Sequence, residues 1–272
     1  MTVTPTLDSK PRCCCGLKGW LLLWALLFVA EAALLANNAY LDTLAWRTTR
    51  WFVGDQDAYK WSEYKKLHAN EPDAPFYQRV NPPWTRESGG VANARFYKRT
   101  EKVWRVLRDL GEPFMTVVLI AAVSLYDQKR RWRAGAILLA ATVSAGALGA
   151  LIRITSGRYR PDGEILLDNG IKIINDGGNY WHFMRGFFQG SDLAFPSGHA
   201  TLAFASAACL TYLSPRGKPL FLAIAAGTAL SRVIMQAHFY SDILLGSALG
   251  WTVGWLVTGA MDRVLMRKAE GA

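Results

Sequence analysis

Hydrophobic and polar positions along this chain segregate into long blocks rather than alternating. Trp20 to Ala36 is apolar apart from Glu31. Five further apolar runs follow: Leu110 to Tyr126, Ala134 to Ile152, about Leu193 to Leu213, Leu220 to Leu230 and Ile243 to Val257. The first run, about seventeen residues, reaches spanning length with the flanking Gly19 and Tyr40. Only helices and closed barrels cross a bilayer, and runs of this length read as helices. The expected fold is therefore all-α, a polytopic membrane helical bundle of about six transmembrane helices. Trp20–Ala36 reads as a retained anchor rather than a cleaved signal peptide, because the polar stretch before it is long and the apolar run is not short.

The polar blocks set the topology. Residues 37–109 form a long polar segment between the first and second runs, which divides the chain into an N-terminal anchor plus polar segment (1–109) and a helical-bundle core (110–272). Asn70 to Gly90 is rich in Pro and Gly, which argues against a compact helical core there. Arg95 to Asp109 alternates charge with aromatic and aliphatic positions, as an amphipathic surface helix or a solvated lead-in to the next span would. The short loop Asp127-Gln-Lys-Arg-Arg-Trp-Arg133 is strongly basic, and such loops stay cytoplasmic. A second basic turn, Ser214 to Lys218, and a tail with Arg263, Arg267 and Lys268 agree with it. The expectation is a multi-pass protein of the cell (inner) membrane with both termini cytoplasmic. The 37–109 segment then lies outside, as do the joined ends of the third to sixth runs.

Composition adds three points. Eleven Trp and ten Tyr suit the membrane–water interface. The formal charge of +10 comes with no nucleic-acid-binding motif, so anionic lipids or phosphorylated substrates explain it better than nucleic acid. Cys13 to Cys15 and the distant Cys209 form neither a disulfide framework nor a metal-ligand spacing. The triplet is either a lipidation site or a reduced cytoplasmic cluster.

Three polar clusters fall on the outer side of this topology. Arg153 and Arg160 are seven residues apart, followed by Pro161. On a continuing helix they would share a face with Cα atoms ~10 Å apart, with Pro161 helping to stop it. They are either a guanidinium clamp for one anion or two interfacial, snorkelling arginines. Phe195-Pro-Ser197-Gly198-His199 opens the fourth run, where free N–H groups at a helix N-terminus would accept an anion, or simply a cap with an incidental His. In Ser231 to Asp242, His238 and Asp242 are four apart and would share a helical face, letting the carboxylate fix the ring tautomer. Arg232, six before His238, would lie off that face, so a helix break between them is expected, with His238 opening the sixth span. Together these describe a phosphate site with a nucleophile and an acid, with no paired carboxylates, Cys/His ligand set or glycine-rich nucleotide loop. Residues alone leave both His199 and His238 as candidate nucleophiles, the carboxylate favouring His238.

Arg153-x6-Arg160-Pro161, Pro196-Ser197-Gly198-His199 and Ser231-Arg232-x5-His238-x3-Asp242 resemble the tripartite signature of the type 2 phosphatidic acid phosphatase superfamily, over about residues 110–260. One departure is Arg153, where the family usually has Lys. The resemblance implies a helical-bundle lipid phosphatase that needs no metal or other cofactor. It implies that His238 attacks phosphorus to form a phosphohistidine, that Asp242 orients it, and that His199 protonates the leaving oxygen and then activates water. Arg153, Arg160 and Arg232, with Ser197 and the Gly198 N–H, would bind the phosphate oxygens. The partner expected is a lipid phosphate or pyrophosphate; oligomeric state leaves no mark on the sequence. A lipid phosphotransferase using the same site and a non-enzymatic binder of anionic lipids are the alternatives. The vanadate-dependent haloperoxidases share the signature but are soluble, against the apolar runs seen here.

Overall fold

The computed structural model describes residues 42, 44, 45, 48, 49, 52 and 53, then 90–126, 131–161, 164–166, 172–174, 181 and 193–270. The first apolar run, Cys13 to Cys15 and residues 70–89 of the Pro- and Gly-rich stretch lie outside these residues. Six helices organise the rest: α1 (Gly90–Asp109), α2 (Pro113–Tyr126), α3 (Arg131–Ser156), α4 (Gly198–Leu213), α5 (Lys218–Ile234) and α6 (Tyr240–Glu270). A small antiparallel hairpin, β1 (Glu164–Leu166) with β2 (Lys172–Ile174), interrupts the otherwise helical architecture between α3 and α4.

Among the described residues, three helical stretches are long and apolar enough to cross a membrane: Trp132–Ser156, Pro215–Ile234 and Tyr240–Leu265. The α2 run Pro113–Leu125 is apolar but shorter. At sixteen residues α4 is also short, and it runs through the middle of the bundle, packed against α3, α5 and α6. The architecture is a multi-pass membrane helical bundle, as the apolar blocks implied.

Close packing concentrates on α4 and α6. A Cβ on Gly246 would stand 2.7 Å from the carbonyl of Ser197, just before α4, and one on Gly250 or Gly254 would stand 2.1 and 2.8 Å from the α4 backbone, so this one stripe lets the two helices touch main chain to main chain. α3 buries Ile137, Leu138 and Ala141 against Cys209 of α4. At the basic-loop end, Arg133 of α3 pairs with Asp262 of α6 at 2.5 Å.

Two helix ends shape the opposite end. α3 stops at Ser156, where Gly157 adopts φ 60° and its N–H bonds the Arg153 carbonyl at 3.1 Å. Glycine enters this left-handed conformation without a Cβ clash, which ends the helix. The expectation of a helix continuing from Arg153 to Pro161 is corrected: Arg158 and Tyr159 instead form extended bridges to Trp181 and Leu193. α5 stops at Ile234, with Gln236 at φ 59° and the Ala237 N–H on the Arg232 carbonyl. The expected break between Arg232 and His238 is present.

Candidate active site

The ends of α3 and α5 and the starts of α4 and α6 meet at one end of the bundle. Arg133 and Arg153 are twenty residues apart on α3, so the site lies about 30 Å from the basic loop, the thickness of a bilayer core.

His238 lies in the α5–α6 linker, two residues before α6 rather than opening it, and is 2 % exposed. It therefore does not share a helical face with Asp242. Asp242 sits in the first turn of α6, and its Oδ2 accepts the Phe239 N–H at 2.8 Å, the carboxylate half of a capping box. That same Oδ2 stands 3.5 Å from His238 Nδ1, an ion-pair separation with no hydrogen bond made. The helix cap thus sets where the carboxylate stands, facing Nδ1. Burial, opposed by Asp242 and reinforced by Arg232 and Arg160, pushes His238 from its ordinary value down to about 4. The imidazole is neutral at neutral pH.

Ser197 caps α4, and its N–H donates to the Asp242 carbonyl at 2.9 Å, tying the two helix starts together. Its buried Oγ has no partner among the described residues. Gly198 begins the helix, and a Cβ there would stand 2.5 Å from Arg153 Nη2, so only glycine admits the guanidinium at this N-terminus. Arg153 Nε donates to the Pro196 carbonyl at 3.3 Å. Arg232, in the last turn of α5, is buried with its Nε unpartnered among the described residues. Arg160 lies close enough that its charge bears on Arg153, Arg232 and His238. Cationic groups converging on one helix N-terminus form a receptor for an anion.

His199, on the first turn of α4, brings Nε2 to 3.0 Å from Glu112 Oε1. Glu112 stands in the turn between α1 and α2. Gly111 beside it lets this turn approach, since a Cβ there would come within 3.0 Å of the His199 Cβ. From here an apolar groove of about 670 Å³ runs between α2, α3 and α4, past Thr116, Ile120, Val143, Ala147 and Leu202.

All eight residues named from the sequence lie at this end of the bundle. Three others escaped that reading. Glu112 carries no local motif. Arg158 was visible as a third arginine between Arg153 and Arg160, but is wholly buried, donating to Asp242 Oδ1 and to Asp42 Oδ2, each at 2.6 Å. Asp42 comes from the N-terminal segment and left no signal at all. Trp181 lies over the Arg158 guanidinium at 4.9 Å and edge-on to Phe195 at 5.2 Å.

Residues 134–265 match the PAP2 superfamily. The chain is 31% identical over 144 residues to the decaprenylphosphoryl-5-phosphoribose phosphatase of Mycobacterium tuberculosis, covering 53% of this chain and 69% of that one. It is 34% identical over 123 residues to the lipid A 1-phosphatase of Rhizobium etli, covering 44% and 46% respectively. The crystal structure of a transmembrane PAP2-type phosphatidylglycerolphosphate phosphatase from Bacillus subtilis shares the fold, with a TM-score of 0.53 at 19% identity over 90% of this chain and 96% of that one.

Proposed function

This chain belongs to the PAP2 superfamily, and we propose that within it the chain is a membrane-bound phosphatase of lipid phosphates or pyrophosphates working through a phosphohistidine. The observation that carries this reading is a neutral, buried His238, backed by Asp242, beside Arg232 Nε and Ser197 Oγ, neither with a hydrogen-bond partner among the described residues. With Nδ1 facing Asp242, Nε2 is the free nitrogen. Its lone pair forms a P–N bond as the bond from phosphorus to the lipid oxygen breaks. His199, entering protonated beside Glu112, gives that oxygen its proton. Water then yields a proton to His199 and its oxygen bonds phosphorus as the P–N bond breaks, releasing inorganic phosphate and restoring His238.

Arg153, Arg160, Arg232, Ser197 Oγ and the N-terminal N–H groups of α4 bear the charge on the equatorial oxygens. These guanidinium groups supply the electrostatics, so the reaction as proposed is metal-independent. The apolar groove beside His199 suits the acyl or polyprenyl chain of a lipid. The basic loop 127–133 is expected in the cytoplasm, which puts the site, a bilayer's thickness away, at the extracytoplasmic face.

The test is phosphate release in detergent from a panel of lipid monophosphates and pyrophosphates, wild type beside His238→Ala, with product identification. Wild type should release inorganic phosphate and carry an acid-labile, base-stable phosphoryl label. His238→Ala should lose both, by roughly 10³-fold or more in rate. Equal release from the two proteins would sink the mechanism, and phosphate appearing on an alcohol acceptor would mark a phosphotransferase.

A further inference from the structure

The catalytic histidine is backed by more than one carboxylate. Asp42, Arg158 and Asp242 are all fully buried and form one ion-paired chain: Asp42 Oδ2 and Asp242 Oδ1 each lie 2.6 Å from the same guanidinium. Ser241 completes it, its N–H donating to Asp42 Oδ1 at 3.2 Å and its Oγ to Asp42 Oδ2, while Arg158 Nη1 donates to the Ser241 Oγ. Asp42 thereby caps α6 from outside, on a segment that also places Thr49 Oγ1 3.0 Å from the Tyr240 hydroxyl. Phe239 closes the guanidinium on one face at 4.2 Å and Trp181 at 4.9 Å.

Counting charge shows what Asp42 supplies. Arg158 paired with Asp242 alone would be a neutral unit, leaving nothing to balance His238 as it becomes cationic on phosphorylation. The other charges bearing on His238, Arg232 from α5 and Arg160 from the stretch after α3, are positive and oppose that step. With Asp42 on the far side of Arg158, the buried chain holds one more carboxylate than guanidinium. We propose that Asp42 and Arg158 are positioning residues of the reaction, the N-terminal segment supplying through Arg158 the net negative charge by which Asp242 stabilises the phosphorylated His238. This rests on the phosphohistidine reading above.

Charge balance and scaffolding predict different things. Asp42→Asn keeps the shape but makes the chain neutral. In the full-length protein, kcat should fall on the order of ten-fold with KM nearly unchanged. Affinity for orthovanadate, which mimics the transferring phosphoryl group on the histidine, should fall in parallel, while weak inhibition by inorganic phosphate stays. Asp42→Asn/Arg158→Gln restores the excess of one carboxylate and should recover part of the lost kcat and vanadate affinity. A purely structural role predicts a double variant worse than the single one.

The inference is overturned if wild type is active and Asp42→Asn keeps its kcat and vanadate affinity within two-fold, or if the folded double variant falls below the single. Should Asp42→Asn fail to fold, the double variant decides: vanadate affinity near wild type supports the inference, and a ten-fold loss overturns it. Wild type without phosphatase activity would instead remove the reading beneath it.

Discussion

The two histidines stand at the same end of one bundle in opposite settings. His238 is 2 % exposed, held in a linker between two helices and backed by a buried ionic chain reaching to Asp42. The His199 side chain is 19 % exposed, on the first turn of α4, beside a Glu112 side chain that is 43 % exposed. A nucleophile needs fixed aim and a neutral ring, which burial supplies. A group that passes a proton to a leaving oxygen and takes one from water needs access to both. The site thus separates a rigid half from a wet half.

The widest separation between the halves should come from His199→Ala. Loss of the proposed general acid should slow release from alkyl lipid phosphates by roughly 10²- to 10⁴-fold. The deficit should shrink sharply with an aryl phosphate, whose oxygen leaves without help, whereas His238→Ala should spare neither substrate. A His199→Ala deficit equal for both leaving groups would end the assignment of acid to the wet half.

The pH dependence of phosphoenzyme formation probes the rigid half. His238 sits below its ordinary 6.5, at about 4, so it stays unprotonated until the pH falls through that lower value. Single-turnover labelling should persist at pH 5 and decline about ten-fold per unit well below 4. The same displacement has a cost in stability: between about 6.5 and 4 the unfolded chain binds a proton the folded chain refuses, so stability drops as pH is lowered across that window. An acid limb at 6.5 or above would show an ordinary solvated ring.

Glu112→Gln should have the smallest effect. Its carboxylate is part-exposed and screened, so a loss of several-fold in kcat is expected, concentrated on alkyl leaving groups. A loss as large as that of His199→Ala would mean that the wet half is as tightly built as the buried one.

How far each half could be read from the sequence follows from what made it. His238, Asp242 and Arg232 sit within one stretch, and their six- and four-residue spacings implied both the break and the pairing. The pairing was inferred from a shared helical face, yet it arises because Asp242 caps α6 while His238 stays outside the helix. Arg153 and Arg160 were placed together for a helix that Gly157 ends early. Their convergence depends instead on an extended stretch bridged to Trp181 and Leu193. Glu112 is 87 positions from His199, and Asp42 is 116 from Arg158; no periodicity spans such distances.

The sequence alone determined that this is a membrane helical bundle, because apolar runs of spanning length have few other solutions. It also determined which charged clusters share a face, because short basic loops orient the spans. Tertiary structure decided the identity of the partners. Which carboxylate reaches Arg158, which turn meets His199, and which glycines let α4 lie against α6 depend on contacts between segments far apart in the chain. Those contacts form only when the helices pack, and the buried charge of Arg158 then has to find its counter-ions wherever the fold puts them.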